Sequence, residues 1–244
     1  MRPLSTAELL HVWEQGLGEP AGRRSLPLLT SACEDIPPEA IAILSIGERD
    51  SRLLKLREWT FGPELLSVTS CPACGEQLGW STPAANLSVS VPGDWAKHFT
   101  CTHEDYQVTF RLPNIGDVLA ASELQNVESA RRCLLRNCLT DARKEGFETA
   151  PDELPDSVVE SVIRQMSEAD PQADLEIDLA CPACDHCWQA SFDIESFFWS
   201  ELSAWAKRLL GDVHILASAY GWRESDILNL PPQRRQVYLD LVNA

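Results

Sequence analysis

Two copies of one four-residue word, Cys71-Pro72-Ala73-Cys74 and Cys181-Pro182-Ala183-Cys184, carry the residue types and spacing in this chain that promise chemistry. A Cys-x-x-Cys turn sets two thiolates on one side of a tight knuckle. Two such knuckles facing each other make the tetrahedral sulfur cage that suits Zn²⁺. The expectation is one structural zinc ion on Cys71, Cys74, Cys181 and Cys184. Ribbon knuckles ordinarily lie about 15–20 residues apart, whereas residues 75 to 180 intervene here. Closing a loop of about a hundred residues rather than about 18 costs about 1.6 kcal/mol more. Apparent zinc-binding free energies are roughly 10–16 kcal/mol, so separation alone does not veto a shared site.

Other chemistries of paired cysteines fit less well. A redox Cys-x-x-Cys opens a helix beside a βαβ pattern, and neither copy here is followed by a helical pattern. Disulfides suit an even cysteine count in a secreted chain, and this chain has nine cysteines. A catalytic zinc keeps an open position and draws on His or carboxylate ligands, which four thiolates would close. Neighbours can compete for the metal. His186 and Cys187 follow the second knuckle directly, and Cys187 could replace Cys184, although the duplicated spacing favours Cys184. Cys101 and His103 form a further ligand-like pair, or the end of a hairpin strand. Cys33, Cys133 and Cys138 have no ligand-like neighbours and read as small buried hydrophobes.

The elements that must position the knuckles are β-hairpins. Leu65-Leu66-Ser67-Val68-Thr69-Ser70 leads into the first knuckle, and residues 174–180 alternate polar and apolar into the second. Gln77 to Trp80 and Trp188 to Phe192 return as the second strands. Before them, Ser5-Thr6-Ala7-Glu8 has the form of a capping box that opens a helix stopped by Gly16. A Gly/Pro-rich linker is expected to about Pro27, then helices from Pro38 to Ile43 and Glu48 to Trp59, the latter with Leu53, Leu54, Leu56 and Trp59 on its apolar face. Between residues 65 and 112 the period becomes two, with Leu87, Val89 and Val91 on one strand and Tyr106, Val108 and Phe110 on another.

A helical insertion separates the knuckles, with helices expected near Ile115–Glu123, Val127–Lys144 and Asp156–Glu168. After the second knuckle, Asp193 can cap a long helix carrying Phe197, Phe198, Leu202, Trp205, Leu209 and Leu210 at three- and four-residue spacing, with Gly211 as a kink and Gly221 as its end. Short helices follow near Glu224–Leu228 and from Pro231 or Pro232. The fold class is therefore α+β: a discontinuous four-cysteine zinc ribbon with β-hairpins, a helical insertion and flanking N- and C-terminal helices. The segments run 1–64, 65–112, 113–173, 174–193 and 194–244.

Charge and motif content narrow the function. With 37 acidic against 20 basic side chains the formal net charge is −17, and such a field repels a phosphate backbone. A zinc-ribbon regulator binding nucleic acid or transcription machinery is thus the alternative rather than the first reading. No Gly-rich phosphate loop, His-Glu-x-x-His pattern or Gly-x-Ser-x-Gly elbow occurs, and the histidines at 11, 98, 103, 186 and 214 are scattered; no catalytic residues are assigned and an enzyme is not expected. Without a long apolar run the chain is expected to be cytoplasmic, with no membrane partner.

Three stretches carry a resemblance: Cys71-Pro72-Ala73-Cys74-Gly75-Glu76; the second knuckle through Trp188 with Phe192-Asp193-Ile194; and the tail from Val213 to Leu228. Together they resemble the zinc-ribbon baseplate proteins, or hub-assembly chaperones, of T4-type contractile phage tails and phage-tail-like injection systems. The resemblance spans roughly residue 60 to the end. It implies a non-enzymatic role in baseplate assembly, with baseplate, hub or spike proteins as partners, and only the cysteines carry over as functional positions. Asp185 stands where that family typically has glycine, a position Asp tolerates better than most residues. The segment from Trp222 to Ala244 reads equally as an adhesive partner face, through Ile227, Leu228, Leu230, Tyr238, Leu239 and Leu241, or as helix packed in the core.

Overall fold

A computed structural model describes residues 1–89 and 98–242. Helices α1 (Thr6–Gly16), α2 (Ser25–Ala32), α3 (Pro38–Ala42) and α4 (Ile46–Phe61) come first, then the hairpin of β1 (Glu64–Ser70) and β2 (Gln77–Pro83). Strands β3 (Phe99–His103) and β4 (Tyr106–Phe110), helices α5 (Ile115–Ser122) and α6 (Val127–Cys138), and strands β5 (Leu139–Lys144) and β6 (Phe147–Glu148) follow. Then come α7 (Asp156–Ala169), the hairpin of β7 (Glu176–Ala180) and β8 (Cys187–Ser191), α8 (Ile194–Tyr220), α9 (Glu224–Leu228) and α10 (Pro232–Val242). The chain is α+β, as its periodicities predict, and it forms two compact units, Met1–Asp35 with Glu195–Ala244, and Ile36–Ile194.

In the larger unit an antiparallel sheet of order β3-β4-β5-β6 presents one face to α7. Cys101, Tyr106, Val108, Phe110 and Ala142 point inward at period two, against Val158 and Val162 of α7. The two knuckle hairpins, β1-β2 and β7-β8, are separate two-stranded sheets. A two-stranded ribbon is marginal alone in water, so each depends on what its knuckle contacts.

A half-buried ion pair ties the sheet to α5. Asn114 caps α5 with a reciprocal capping box, its side chain accepting from the Asp117 N–H while Asp117 accepts from the Asn114 N–H. The Asp117 carboxylate also accepts two hydrogen bonds from Arg111, at 2.6 and 2.8 Å. Burial alone would raise the Asp117 pKa, but Arg111 and the Asn114 N–H outweigh it and hold it below its ordinary value. A lowered carboxyl pKa contributes stability that is present above the unfolded value of 3.8 and is lost as pH falls through the lower folded value. Asp117→Ala should cost about 2–3 kcal/mol at neutral pH, less than a fully buried pair because Arg111 reaches water, with the gap to wild type closing below about pH 4 in urea titrations.

In the smaller unit, α1 opens with the Ser5–Glu8 capping box and buries Leu9, Leu10, Val12 and Trp13. The Trp13 indole N–H donates to Ser203 Oγ on α8 at 3.3 Å. Glycine at position 16 admits the Trp199 ring, which a Cβ there would penetrate. The Glu195 carboxylate accepts the backbone N–H groups of Gly22 and Ser25 at 3.0 and 3.1 Å. Helix α8 is continuous through Gly211 and ends at Gly221, whose φ of 68° suits glycine. Against it, Ile227 and Leu239 pack on Leu216, with Trp222 and Tyr238 beside them. That settles much of the tail as core, leaving Val237 and Leu241 exposed.

Several local expectations are corrected. The helix read from Val127 to Lys144 ends at Cys138, and Leu139–Lys144 pairs along β4 as a strand, Phe110 opposite Leu139 and Val108 opposite Ala142. The linker expected to Pro27 gives way to α2 from Ser25; Pro27 lies in its first turn, where no intrahelical N–H is needed. Leu87 closes a 3-10 turn (Ala84–Leu87) rather than entering a strand with Val89, and Val91 lies outside the described residues. Trp59 is 40% exposed under the Lys55 ammonium instead of joining the buried face of α4.

Candidate metal centre

Both knuckles are built by the same backbone hydrogen bonds. In the first, the Cys71 N–H donates to Glu76 O at 2.8 Å and the Gly75 N–H to Cys71 O at 2.9 Å. In the second, the Cys181 N–H donates to His186 O and the Asp185 N–H to Cys181 O, each at 2.9 Å. The fifth residue of each turn is left-handed, with φ of 78° at Gly75 and 56° at Asp185. Glycine occupies that region freely, and Asp is among the few side chains that tolerate it. Asp185→Val should therefore destabilise the second knuckle by roughly 1–2 kcal/mol while Asp185→Gly stays within about 0.5 kcal/mol of wild type, a contrast readable by thermal melting.

The hairpins bring the two knuckles face to face. Cys71 Sγ lies 3.7 Å from Cys184 Sγ, and Cys74 Sγ lies 3.6 Å from Cys181 Sγ. All four sulfurs fall within 4.8 Å of one another. Cys71 and Cys181 are buried, while Cys74 and Cys184 face solvent. Beneath the sulfurs, Leu78 and Trp188 pack on Cys71 and Cys181, and Trp80 of one hairpin meets Phe192 of the other edge-on at 6.0 Å. That aromatic bridge joins residues far apart in the chain, and nothing in the sequence pairs Trp80 with Phe192.

The Cys71 and Cys184 thiols are pulled in opposite directions. Burial would raise the Cys71 pKa, yet the backbone N–H groups of Cys74 and Ala73 and the Cys74 and Cys181 thiols bring it down to about 7. The His186 N–H draws Cys184 down, but the Cys74 sulfur, burial, and the Cys181 and Cys71 sulfurs together push it up to about 12. Like charges this close cannot all form unaided. A divalent cation held by the four sulfurs would remove that conflict, so the donor set fits a metal ion.

The competing ligands stand elsewhere. Cys187 is exposed on β8 with its thiol directed at Asp185 O, 3.7 Å away, and His186 stacks on Trp188 at 5.8 Å. Cys101 is buried in β3 and its thiol meets Ser161 Oγ at 3.5 Å. His103 approaches Glu104 at 3.9 Å. Cys33 and Cys138 are buried, and burial first, then Asp117, pushes the Cys138 thiol up to about 12. Among the described residues, the group of three or more metal-ligating side chains is that of Cys71, Cys74, Cys181 and Cys184.

Among the described residues no helix is long and apolar enough to cross a membrane. Comparison with curated proteins and with solved structures gives no match. One family does match, that described as T4 bacteriophage base plate protein, over residues 26–199. The match starts well before residue 60, taking in α2 to α4, and stops short of the Val213–Leu228 tail that carries part of the sequence resemblance. It spans more than half of the 244 residues and both knuckles. The chain belongs to the T4 bacteriophage base plate protein family.

Proposed function

We propose that this protein is a non-enzymatic component or assembly chaperone of the baseplate and hub of a contractile phage tail or phage-tail-like injection system, held together by one structural zinc ion. The family match over residues 26–199 carries the reading. Zinc is the metal the sulfur set supports best. A tetrahedral ion with Zn–S bonds of about 2.3 Å places its ligands about 3.8 Å apart, close to the 3.6 and 3.7 Å found across the knuckles. Four thiolates leave no position for substrate or water, which suits a structural ion. Zinc there would pin chain segments on either side of the β3–α7 region, fixing the frame that this region decorates.

A tagged copy produced in its native cell, purified separately from the soluble pool and from sedimented particles, tests the role. Hub, spike or baseplate proteins recovered from the soluble pool alone identify a chaperone. Recovery of this chain within particles identifies a structural component. Polymerase subunits or RNA in place of either would overturn the reading in favour of a regulator.

A further inference from the structure

Helices α6 and α7 wall a cleft on the larger unit, at the margin of its sheet-and-helix core. Of α6 only Cys138 is buried, although Val127, Ala130, Leu134 and Cys138 recur at three- and four-residue spacing. At one end the cleft is apolar, about 650 Å³, with Ala130 and Leu134 facing Ile163 and Met166. The other end is polar, about 800 Å³, and Arg131 and Leu135 line both.

The walls carry opposite charge. Arg131, Arg132 and Arg136 stand on the α6 side, and Asp152, Asp156 and Glu160 on the other. Among the described residues no ion pair crosses the gap; Arg132 pairs instead with Glu128, one turn back on its own helix, at 3.1 Å. Opposite charges that flank a space without meeting leave room for a body whose own charges meet each wall.

We propose that this cleft docks an amphipathic helix of a baseplate protein, its apolar stripe on Leu134, Ile163 and Met166, acidic side chains along the flank facing α6 and basic ones along the flank facing α7. A helix satisfies its own backbone hydrogen bonds, which suits a cleft walled mainly by the side chains of two helices. Met166 adapts its shape to the incoming side chains. That the partner is a baseplate protein rests on the function proposed above; the shape and charge pattern of the docked segment do not.

The test places a photo-activatable cross-linker at Leu134 of the full tagged chain in producing cells and maps the captured segment by mass spectrometry. The result expected is one helix-forming segment with apolar residues at i, i+3 or i+4 and i+7, acidic on one flank and basic on the other. Arg131→Glu with Arg136→Glu, both exposed positions, should cut its capture at least tenfold with melting unchanged, and acidic-to-Lys changes in the mapped segment should restore it. Capture of a second copy of this chain, of nucleic acid or of a segment without that pattern would overturn the proposal. So would undiminished capture by the charge-reversed chain, even if baseplate proteins co-purify. Their absence from the wild-type purification would instead sink the functional reading, while the mapped segment still decides the cleft.

Discussion

Cys181→Ser is expected to abolish stoichiometric metal binding and to release both knuckle hairpins from each other. A serine hydroxyl does not ionise as a thiol does, so the variant offers three sulfurs in a site shaped for four. Among the described residues the hairpins then meet through Leu78 and Trp188 around the buried cysteines and through the Trp80–Phe192 contact. Two-stranded sheets of this size do not persist on such support. Because structural zinc contributes roughly 10–16 kcal/mol in small domains, the local loss should be on the order of 5 kcal/mol or more. Hydrogen exchange reads it directly, with protection of Leu65–Ser70 and Ile177–Ala180 collapsing while that of β4 persists. Unchanged protection and unchanged metal content would rule out a shared site.

Phe110→Ala should produce the complementary failure. Phe110 is fully buried in the second strand of the four-stranded sheet, stacked on Phe99 with ring centroids 5.5 Å apart and packed beside Val108 and Val158. Truncating a buried phenylalanine costs about 3–5 kcal/mol, through lost transfer free energy and the cavity left behind. For a unit of this size that lowers the melting temperature by roughly 6–20 °C. The metal should stay bound in stoichiometric amount below the transition, because this core and the cluster beneath the knuckles share no side chain. A native-like Phe110→Ala protein that had lost its metal would show the two supports to be one.

Local chemistry is what the sequence makes legible. The duplicated Cys-Pro-Ala-Cys word, the capping box at Ser5 and the alternation of Tyr106, Val108 and Phe110 each fix their conformation within a few residues. Periodicity misleads where it continues past its element. Leu134, Leu135, Cys138, Leu139 and Ala142 keep helical spacing, which predicts a helix on to Lys144. Pairing with β4, some thirty residues earlier in the chain, overrides that pattern from Leu139 onward. The turn at Glu145 and Gly146, with φ of 49° and 89°, is the local sign of a hairpin.

Contacts between distant positions lie beyond sequence reach. Gly47 lies just before the helix expected from Glu48 and carries no signal of its own, yet its N–H is taken by Asp170, and a Cβ there would collide with that carboxylate and come within 3.0 Å of the Ala173 backbone nitrogen. The cleft between α6 and α7 is of the same kind. Its arginines read as solvated pairs along a helix, and only the placement of α7 gives them an acidic wall to face. The four cysteines themselves are nameable because each pair is built by one short turn; their convergence depends on residues 75 to 180 folding so that the turns meet.

A single zinc ion joining the two knuckles is what the proposed role rests on structurally. X-ray absorption at the zinc edge on the purified protein, with the metal quantified per chain, decides whether that ion is there. One zinc per chain with four sulfur neighbours at about 2.3 Å, lost on Cys181→Ser, is the predicted result. A metal-free chain that melts cooperatively with both hairpins protected, or a zinc bound through nitrogen or oxygen, would contradict it.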